Sequence, residues 1–261
     1  MYGAAKAEAS EILRRAADDV GAEFKDVLLP NLFGEHGKPF YNSVVATFCH
    51  LIQSGQRPEV MEDRELELLH AQNAADLLLG RLKAEDLYKF TARMTVSTLL
   101  TQLQQISELY RSGDIPSLSS DFDVELFNTY RSFRTGDELP FVLDRRADAR
   151  GSFFEVCRSH GGDGQTSFST TMPGISRGDH YHRRKVERFV VLAGQAEISM
   201  RRLFSDQVLR FSVSGDSPVA IDMPTLWSHN ITNTGDMDLY TMFWTNEIFD
   251  PSNPDTFSEE V

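Results

Sequence analysis

The chain has 261 residues, enough for two modest domains, and its 41% hydrophobic and 25% charged content is that of an ordinary globular protein. Its 39 acidic and 26 basic residues give a net charge of −13 with no long basic tract, which argues against nucleic acid as the main partner. Only Cys49 and Cys157 are present and neither sits in a C-x-x-C pair, so neither a disulfide framework nor a cysteine-rich metal site is implied.

In chain order, residues 4–20 are alanine-rich and charged and predict a helix ended before Gly21. A short apolar strand is expected over 24–30, stopped by Pro30. Helices follow over 43–52, 71–82 and 95–110, with Val44, Phe48 and Leu51, then Leu99, Leu103 and Ile106, at helical spacing. The polar run 117–123 marks a boundary. The expected division is residues 1–120, a linker over 121–139, and a second domain over 140–261. That second part reads as short strands with turn signals, over 152–156, 167–171, 187–192, 196–201, 208–213 and 240–245, the pattern of a barrel or sandwich. The N-terminus lacks the apolar core of a secretory signal, and no run approaches the ~20 apolar residues of a membrane-spanning helix. A cytoplasmic protein with no membrane insertion is expected.

Chemistry concentrates in two runs, Gly178-Asp179-His180-Tyr181-His182 with Glu187 and Gly194, and Pro224 with His229 and Asn233. His180 and His182, two apart on a strand, project from one face, whereas Tyr181 projects from the other. Glu187 and His229 can converge on them from neighbouring strands, giving three histidines and one carboxylate. That set suits a divalent metal with positions left open; zinc, manganese, nickel and iron all fit it. A lone histidine is usually a surface or satisfied core residue. Two half-motifs in order, with their glycines, proline and asparagine, are far more specific. The pattern resembles the two boxes of the cupin superfamily, a small antiparallel β-barrel, and departs from it where a glycine is expected and Leu226 stands.

At the other end, Tyr2 and Lys6 are four apart and so neighbours on a helix, where an ammonium group favours the tyrosinate. Alone, Y-x-x-x-K is a weak signal. With the following helix, strand and Leu29-Pro30-Asn31-Leu32-Phe33-Gly34, it resembles the distal half of an extended short-chain dehydrogenase/reductase (SDR). No strand–Gly-x-Gly-x-x-Gly–helix unit exists in the chain, and Gly161-Gly162-Asp163-Gly164 lies between expected strands as a hairpin loop, without the helix a phosphate cradle needs. Reductase activity from this chain alone is not expected, and NADP(H) is expected only with a longer form. Val27 and Leu29 would then be left uncovered, which favours a homodimer or another covering partner.

Together the halves resemble a bifunctional bacterial family of UDP-N-acetyl-L-fucosamine biosynthesis for capsule and O-antigen, an SDR fused to a C-terminal cupin. Beyond the stretches already quoted, Tyr41-Asn42-Ser43-Val44-Val45-Ala46-Thr47-Phe48-Cys49, Arg150-Gly151-Ser152-Phe153, Trp244-Thr245-Asn246-Glu247-Ile248-Phe249-Asp250-Pro251 and Asn253-Pro254-Asp255-Thr256 carry the resemblance. It implies an α+β chain: the distal part of an extended SDR followed by an all-β cupin, a double-stranded β-helix or jelly roll. It also implies zinc at His180, His182, Glu187 and His229, C3-epimerisation of a UDP-2-acetamido-2,6-dideoxy-4-hexulose by the cupin, and C4 reduction by the SDR. Asn31, Tyr41 and Asn42 match stretches bordering the reductase's substrate site. His70-Ala71-Gln72-Asn73-Ala74 departs where related reductases place an acidic pair. Lys185, Asp222 and Tyr240 are candidates for the epimerase's acid and base by chemistry and nearness, none carrying a motif. Two other classes compete: an iron-dependent cupin oxygenase, and a non-catalytic metal-binding assembly module.

Overall fold

The computed structural model describes residues 2–148 and 151–261, without the side chain of Tyr2. The N-terminal half contains α1 (Tyr2–Val20), β1 (Asn31–Phe33), α2 (Val44–Gln53), β2 (Glu65–His70), α3 (Ala71–Leu78), β3 (Thr91–Thr95), α4 (Val96–Arg111) and α5 (Asp121–Arg131). β1 pairs parallel with β2, which pairs antiparallel with β3. Helix starts follow local chemistry. The Ser43 and Thr95 side chains accept from the backbone N–H groups of Ala46 and Thr98 and so fix the first turns of α2 and α4. The apolar stripes of these helices then pack on each other, with Phe48, Ile52, Leu99 and Leu103 all buried.

Three expectations for this half need correction. The apolar run 24–30 is not a strand. A strand needs a ladder partner, and the parallel register starts only at Asn31, opposite Leu68, while Leu28 is left 91% exposed. The helix expected to reach residue 82 ends at Leu78, just before Gly80 with φ 72. The segment 121–139, expected to be a linker, holds α5. Ser120 and Asp123 form a reciprocal capping box, and Leu126, Phe127 and Tyr130 are buried.

The C-terminal half continues with β4 (Pro140–Val142), β5 (Arg146–Asp148), β6 (Gly151–Phe153), β7 (Gln165–Thr171), β8 (Ser176–Tyr181), β9 (Glu187–Ala193), β10 (Gln195–Arg202), β11 (Val208–Ser214), β12 (Val219–Met223), β13 (Trp227–Asn233), β14 (Leu239–Thr245) and β15 (Phe257–Ser258). Two five-stranded antiparallel sheets, ordered β11-β10-β13-β8-β15 and β4-β12-β9-β14-β7, make the jelly roll. Inward-facing Ile198, Met200, Ile221, Met223 and Ile231 fill the space between them. The glycine-rich segment 161–164 is a loop between β6 and β7 with no helix behind it, although those two strands do not pair with each other.

The outer face of the second sheet is also buried. Val190, Ala220 and Trp244 join the same apolar cluster as Leu103, Phe127 and Tyr110, so the two halves share one core. That explains why β9 reads as a near-continuous apolar run after its first two residues. A buried ion pair of the second sheet lies at the seam and is bonded across it. Arg188 donates to both carboxylate oxygens of Asp222 at 2.6 and 3.0 Å and to the Gly113 carbonyl at 2.6 Å, and the Tyr110 hydroxyl donates to Asp222 at 2.8 Å.

Candidate metal centre

His180 lies near the end of β8, His182 immediately after it, Glu187 opens β9, and His229 is on β13 opposite His180. Between the pairs His180–His229 and Gly178–Asn230, Asp179 is an extra residue in β8, a bulge with φ 56. Gly178 is required here, since a Cβ would stand 2.6 Å from the His229 carbonyl oxygen. The bulge shifts the register so that His180 stands directly opposite His229. As a result the donor atoms of His180, His182, Glu187 and His229 all lie within 4.8 Å of one another, the only such group among the described residues. The three imidazole centroids are 4.7, 5.0 and 5.3 Å apart. His182, Glu187 and His229 are buried, while His180 is half-buried and marks the open side.

The protonation pattern fits a cation. His182 Nδ1 stands 2.6 Å from the Asp255 carbonyl oxygen, and His229 Nδ1 3.2 Å from that of Trp227. A carbonyl can only accept, so both Nδ1 atoms carry a proton, and in the neutral form of each ring Nε2 is the atom left with a lone pair for a cation. The two Nε2 atoms face the same Glu187 oxygen at 3.1 and 3.3 Å, and His229 Nε2 is buried without a hydrogen bond. Several lone pairs converging out of water are costly unless a positive charge sits among them. The outer carbonyls fix tautomer and ring orientation in the manner of metal-site second layers. Burial, reinforced by His229 and His182, pushes His180 down to about 4, which leaves it a neutral imidazole at pH 7. Burial opposes ionisation of Glu187; hydrogen bonds and positive charge from His182 and His229, when their Nε2 atoms are protonated, outweigh it and lower the carboxyl below its usual range, the place a bound cation would otherwise fill.

Around these four side chains, the C-terminal segment supplies support that sequence reasoning missed. The buried Asp255 carboxylate accepts from the backbone N–H groups of Arg183, Arg184 and Lys185 at 3.1, 2.9 and 2.9 Å, capping the turn between His182 and Glu187. Its place in Asn253-Pro254-Asp255-Thr256, a stretch characteristic of the resemblance, was the available signal. On the other side, Leu226 stands where the cupin pattern has glycine and keeps that glycine's backbone, with φ 62. Its N–H donates to the His182 carbonyl at 2.8 Å, which tethers the turn before β13 to the ligand.

The structure does not bring the acid–base candidates to this cluster. Lys185 is buried, its Nζ donating to the Pro254 carbonyl at 2.8 Å. Asp222 is sealed on the opposite sheet face by Arg188 and Tyr110. Tyr240 alternates outward on β14, 40% exposed, with its ring against Phe168 at 5.8 Å. Tyr181 also faces outward, stacked on Phe257 at 5.2 Å. Asn31, Tyr41 and Asn42 do come together, lining a cleft of about 500 Å³ beside β1 that none of the four ligands borders. Lys6 is exposed on α1; the side chain of Tyr2 lies outside the described residues. Val27 and Leu29 are half-buried, and the exposed apolar side chains here are Ile12, Leu13, Val20 and Leu28.

Residues 146–257 match the Polysaccharide biosynthesis C-terminal domain, and residues 1–88 match the NAD dependent epimerase/dehydratase family. The chain is 31% identical over 271 residues to the UDP-2-acetamido-2,6-beta-L-arabino-hexul-4-ose reductase of Pseudomonas aeruginosa, covering 100% of this chain and 72% of that protein. It is 25% identical over 122 residues to the spore coat polysaccharide biosynthesis protein SpsL of Bacillus subtilis, covering 43% of this chain and 81% of that one. The crystal structure of the capsular polysaccharide assembling protein CapF from Staphylococcus aureus superposes with a TM-score of 0.54 at 31% identity, covering 100% of this chain and 74% of CapF. No helix is long and apolar enough to cross a membrane among the described residues. With an SDR-type half packed on a cupin barrel and this likeness running along its whole length, the chain belongs to the SDR–cupin family that includes the Pseudomonas reductase and CapF.

Proposed function

We propose that His180, His182, Glu187 and His229 hold a divalent metal, zinc in the first place, and that this site epimerises C3 of a UDP-2-acetamido-2,6-dideoxy-4-hexulose in the making of capsule or O-antigen sugar nucleotides. The observation that carries the proposal is the convergence of four buried or half-buried donors, two of them histidines whose outer nitrogens are already committed to carbonyls. The relative named for reducing a UDP-linked hexul-4-ose supports the substrate class, because the proton beside such a ketone is the acidic one. When bound, a divalent metal supplies the Lewis acidity that makes this proton removable.

The chain's own residues orient and exclude. His180, the most accessible ligand, sets the side from which substrate enters. Phe189, 6.2 Å from the His229 ring and 5.4 Å from Phe243, gives the site an apolar wall that keeps water from the reacting carbon. Asp255 and Leu226 hold His182 from two sides. The cleft lined by Asn31, Tyr41 and Asn42 belongs to the C4-reductase half; with no Gly-x-Gly-x-x-Gly unit in the sequence, NADP(H) chemistry is assigned to a longer form. The exposed apolar residues Ile12, Leu13, Val20 and Leu28 support a homodimer or another covering partner.

Solvent exchange tests the reading. Metal-loaded protein incubated with the UDP-4-keto sugar in D2O is expected to incorporate deuterium at C3. No exchange, alongside an active longer relative as control, removes the epimerase assignment. Iron with oxygen consumption would instead favour a cupin oxygenase, and metal bound without exchange would favour a non-catalytic module.

A further inference from the structure

The turn between ligands His182 and Glu187 is held from outside the barrel. From α3, Gln72 Nε2 donates to the Arg183 carbonyl at 2.7 Å, and Gln72 Oε1 accepts from Arg183 Nε at 3.0 Å. Asp76, one turn further along α3, takes Arg183 Nη2 at 3.1 Å. From α5, Asn128 Nδ2 donates to the Arg184 carbonyl at 2.6 Å, and Asn128 Oδ1 fixes Arg131, which donates to the Lys185 carbonyl at 3.4 Å. The three consecutive carbonyls of residues 183–185 are thus each taken by an N-terminal side chain, while their three N–H groups go to Asp255. A second grip lies nearby. Thr225 donates to Glu35 at 2.9 Å, and the next residue, Leu226, is the one tethered to His182.

We propose that the N-terminal half is a structural part of the metal centre, with Gln72 and Asn128 as positioning residues that hold the 183–185 turn so that His182 and Glu187 close on one ion. The proposal rests on the metal reading above. Its physical basis is preorganisation. A turn joining two ligands five positions apart samples many geometries unless its backbone groups are fixed, and ions bind tightly only to donors already placed. Gln72 falls within His70-Ala71-Gln72-Asn73-Ala74, the run in which this chain departs from the acidic pair of related reductases; here its amide serves the barrel instead.

The test uses the full chain, stripped with a chelator and titrated with Co2+ alone, reading both the dissociation constant and the visible d–d spectrum. Gln72→Ala and Asn128→Ala are each expected to weaken Co2+ binding by about tenfold or more and to change the spectrum, as losses behind a ligand do. Arg210→Ala, which breaks an ion pair with Glu197 at the sheet edge, is expected to change neither. Gln72 is only half-buried, so Gln72→Ala is expected to keep the unfolding midpoint of the metal-free chain near its original value; it decides the matter if Asn128→Ala does not fold. Unchanged affinity and spectrum in Gln72→Ala overturn the proposal. If the original chain binds Co2+ and His229→Ala does not, that failure touches the positioning role alone. If the original chain binds no Co2+, the metal reading falls with it.

Discussion

The backbone carbonyl of Asp255 meets Nδ1 of His182 at 2.6 Å across 73 positions of chain, while the carboxylate of the same residue caps the turn that follows His182. One residue therefore sets both the tautomer of a ligand and the path of the chain to the next ligand. Asp255→Ala strands three backbone N–H groups that are buried or partly buried. A loss of about 3 kcal/mol in unfolding free energy is expected, from roughly 1 kcal/mol or more per unsatisfied group. Metal affinity should fall by about 10- to 100-fold. Denaturant unfolding of the metal-free chain and equilibrium dialysis measure the two separately.

Leu226 makes a sharper backbone prediction. At φ 62 a leucine pays roughly 1–2 kcal/mol that glycine would not. Leu226→Gly should therefore change stability by no more than about 1 kcal/mol, because strain relief offsets lost side-chain contact and added chain entropy. Leu226→Val should destabilise by more than about 1 kcal/mol, since a β-branched residue is least tolerant of this conformation. Thermal or urea unfolding of the pair checks the sign.

The seam between the halves titrates. Burial opposes charge on both His70 and Glu35, but their contact at 3.0 Å outweighs it, raising His70 above its ordinary 6.5 and lowering Glu35 below its ordinary 4.5. Burial raises the nearby Glu125 to about 7. For His70 and Glu125, whose values are raised, the stabilising contribution is present at low pH and lost as pH rises through the folded values. For Glu35, whose value is lowered, it is present above 4.5 and lost as pH falls through the folded value. Unfolding free energy is thus expected to decline from about pH 4.5 to about 7 through Glu125, and from about pH 6.5 upward through His70. Glu125→Gln should flatten part of that decline, and the double variant Glu35→Gln, His70→Gln should remove the dependence on both flanks that comes from this pair.

Asp222 separates structure from catalysis. It is paired with Arg188 where neither meets solvent, so Asp222→Asn leaves a buried guanidinium without its counter-charge. A loss of about 3–5 kcal/mol is expected. Tyr110→Phe, which removes one hydrogen bond to that charge, should lose about 1.5–3 kcal/mol. Any lost C3 exchange in either variant should track the fraction folded, with metal stoichiometry of the folded fraction unchanged. Lost exchange in fully folded protein would return Asp222 to the chemistry.

The barrel and the convergence of the four donor side chains were legible because alternation fixes faces. His180 and His182, two apart, point the same way at the end of one sheet, and short strands between turn signals bring Glu187 to them from the other. The missing pieces depend on partners far away in the chain. The run 24–30 has strand composition but no ladder partner, so pairing starts at Asn31 instead. Helix α5 buries Asn128, Thr129 and Arg131 beside Leu126, Phe127 and Tyr130, and this mixed face hides its periodicity; the S-x-x-D of Ser120 and Asp123 was the readable sign. Lys185 and Asp222 looked chemically suitable until Pro254 and Arg188 were seen to occupy them. No local pattern announces that α3 and α5 grip the 183–185 turn, since those bonds span 54 to 111 positions.

Metal analysis of the purified chain, alongside its His180→Ala and His229→Ala variants, tests the metal centre most directly. About one equivalent of a divalent metal per chain is expected, zinc foremost, with both variants folded and empty. Full occupancy in the two variants would contradict the assignment of these four residues as its ligands.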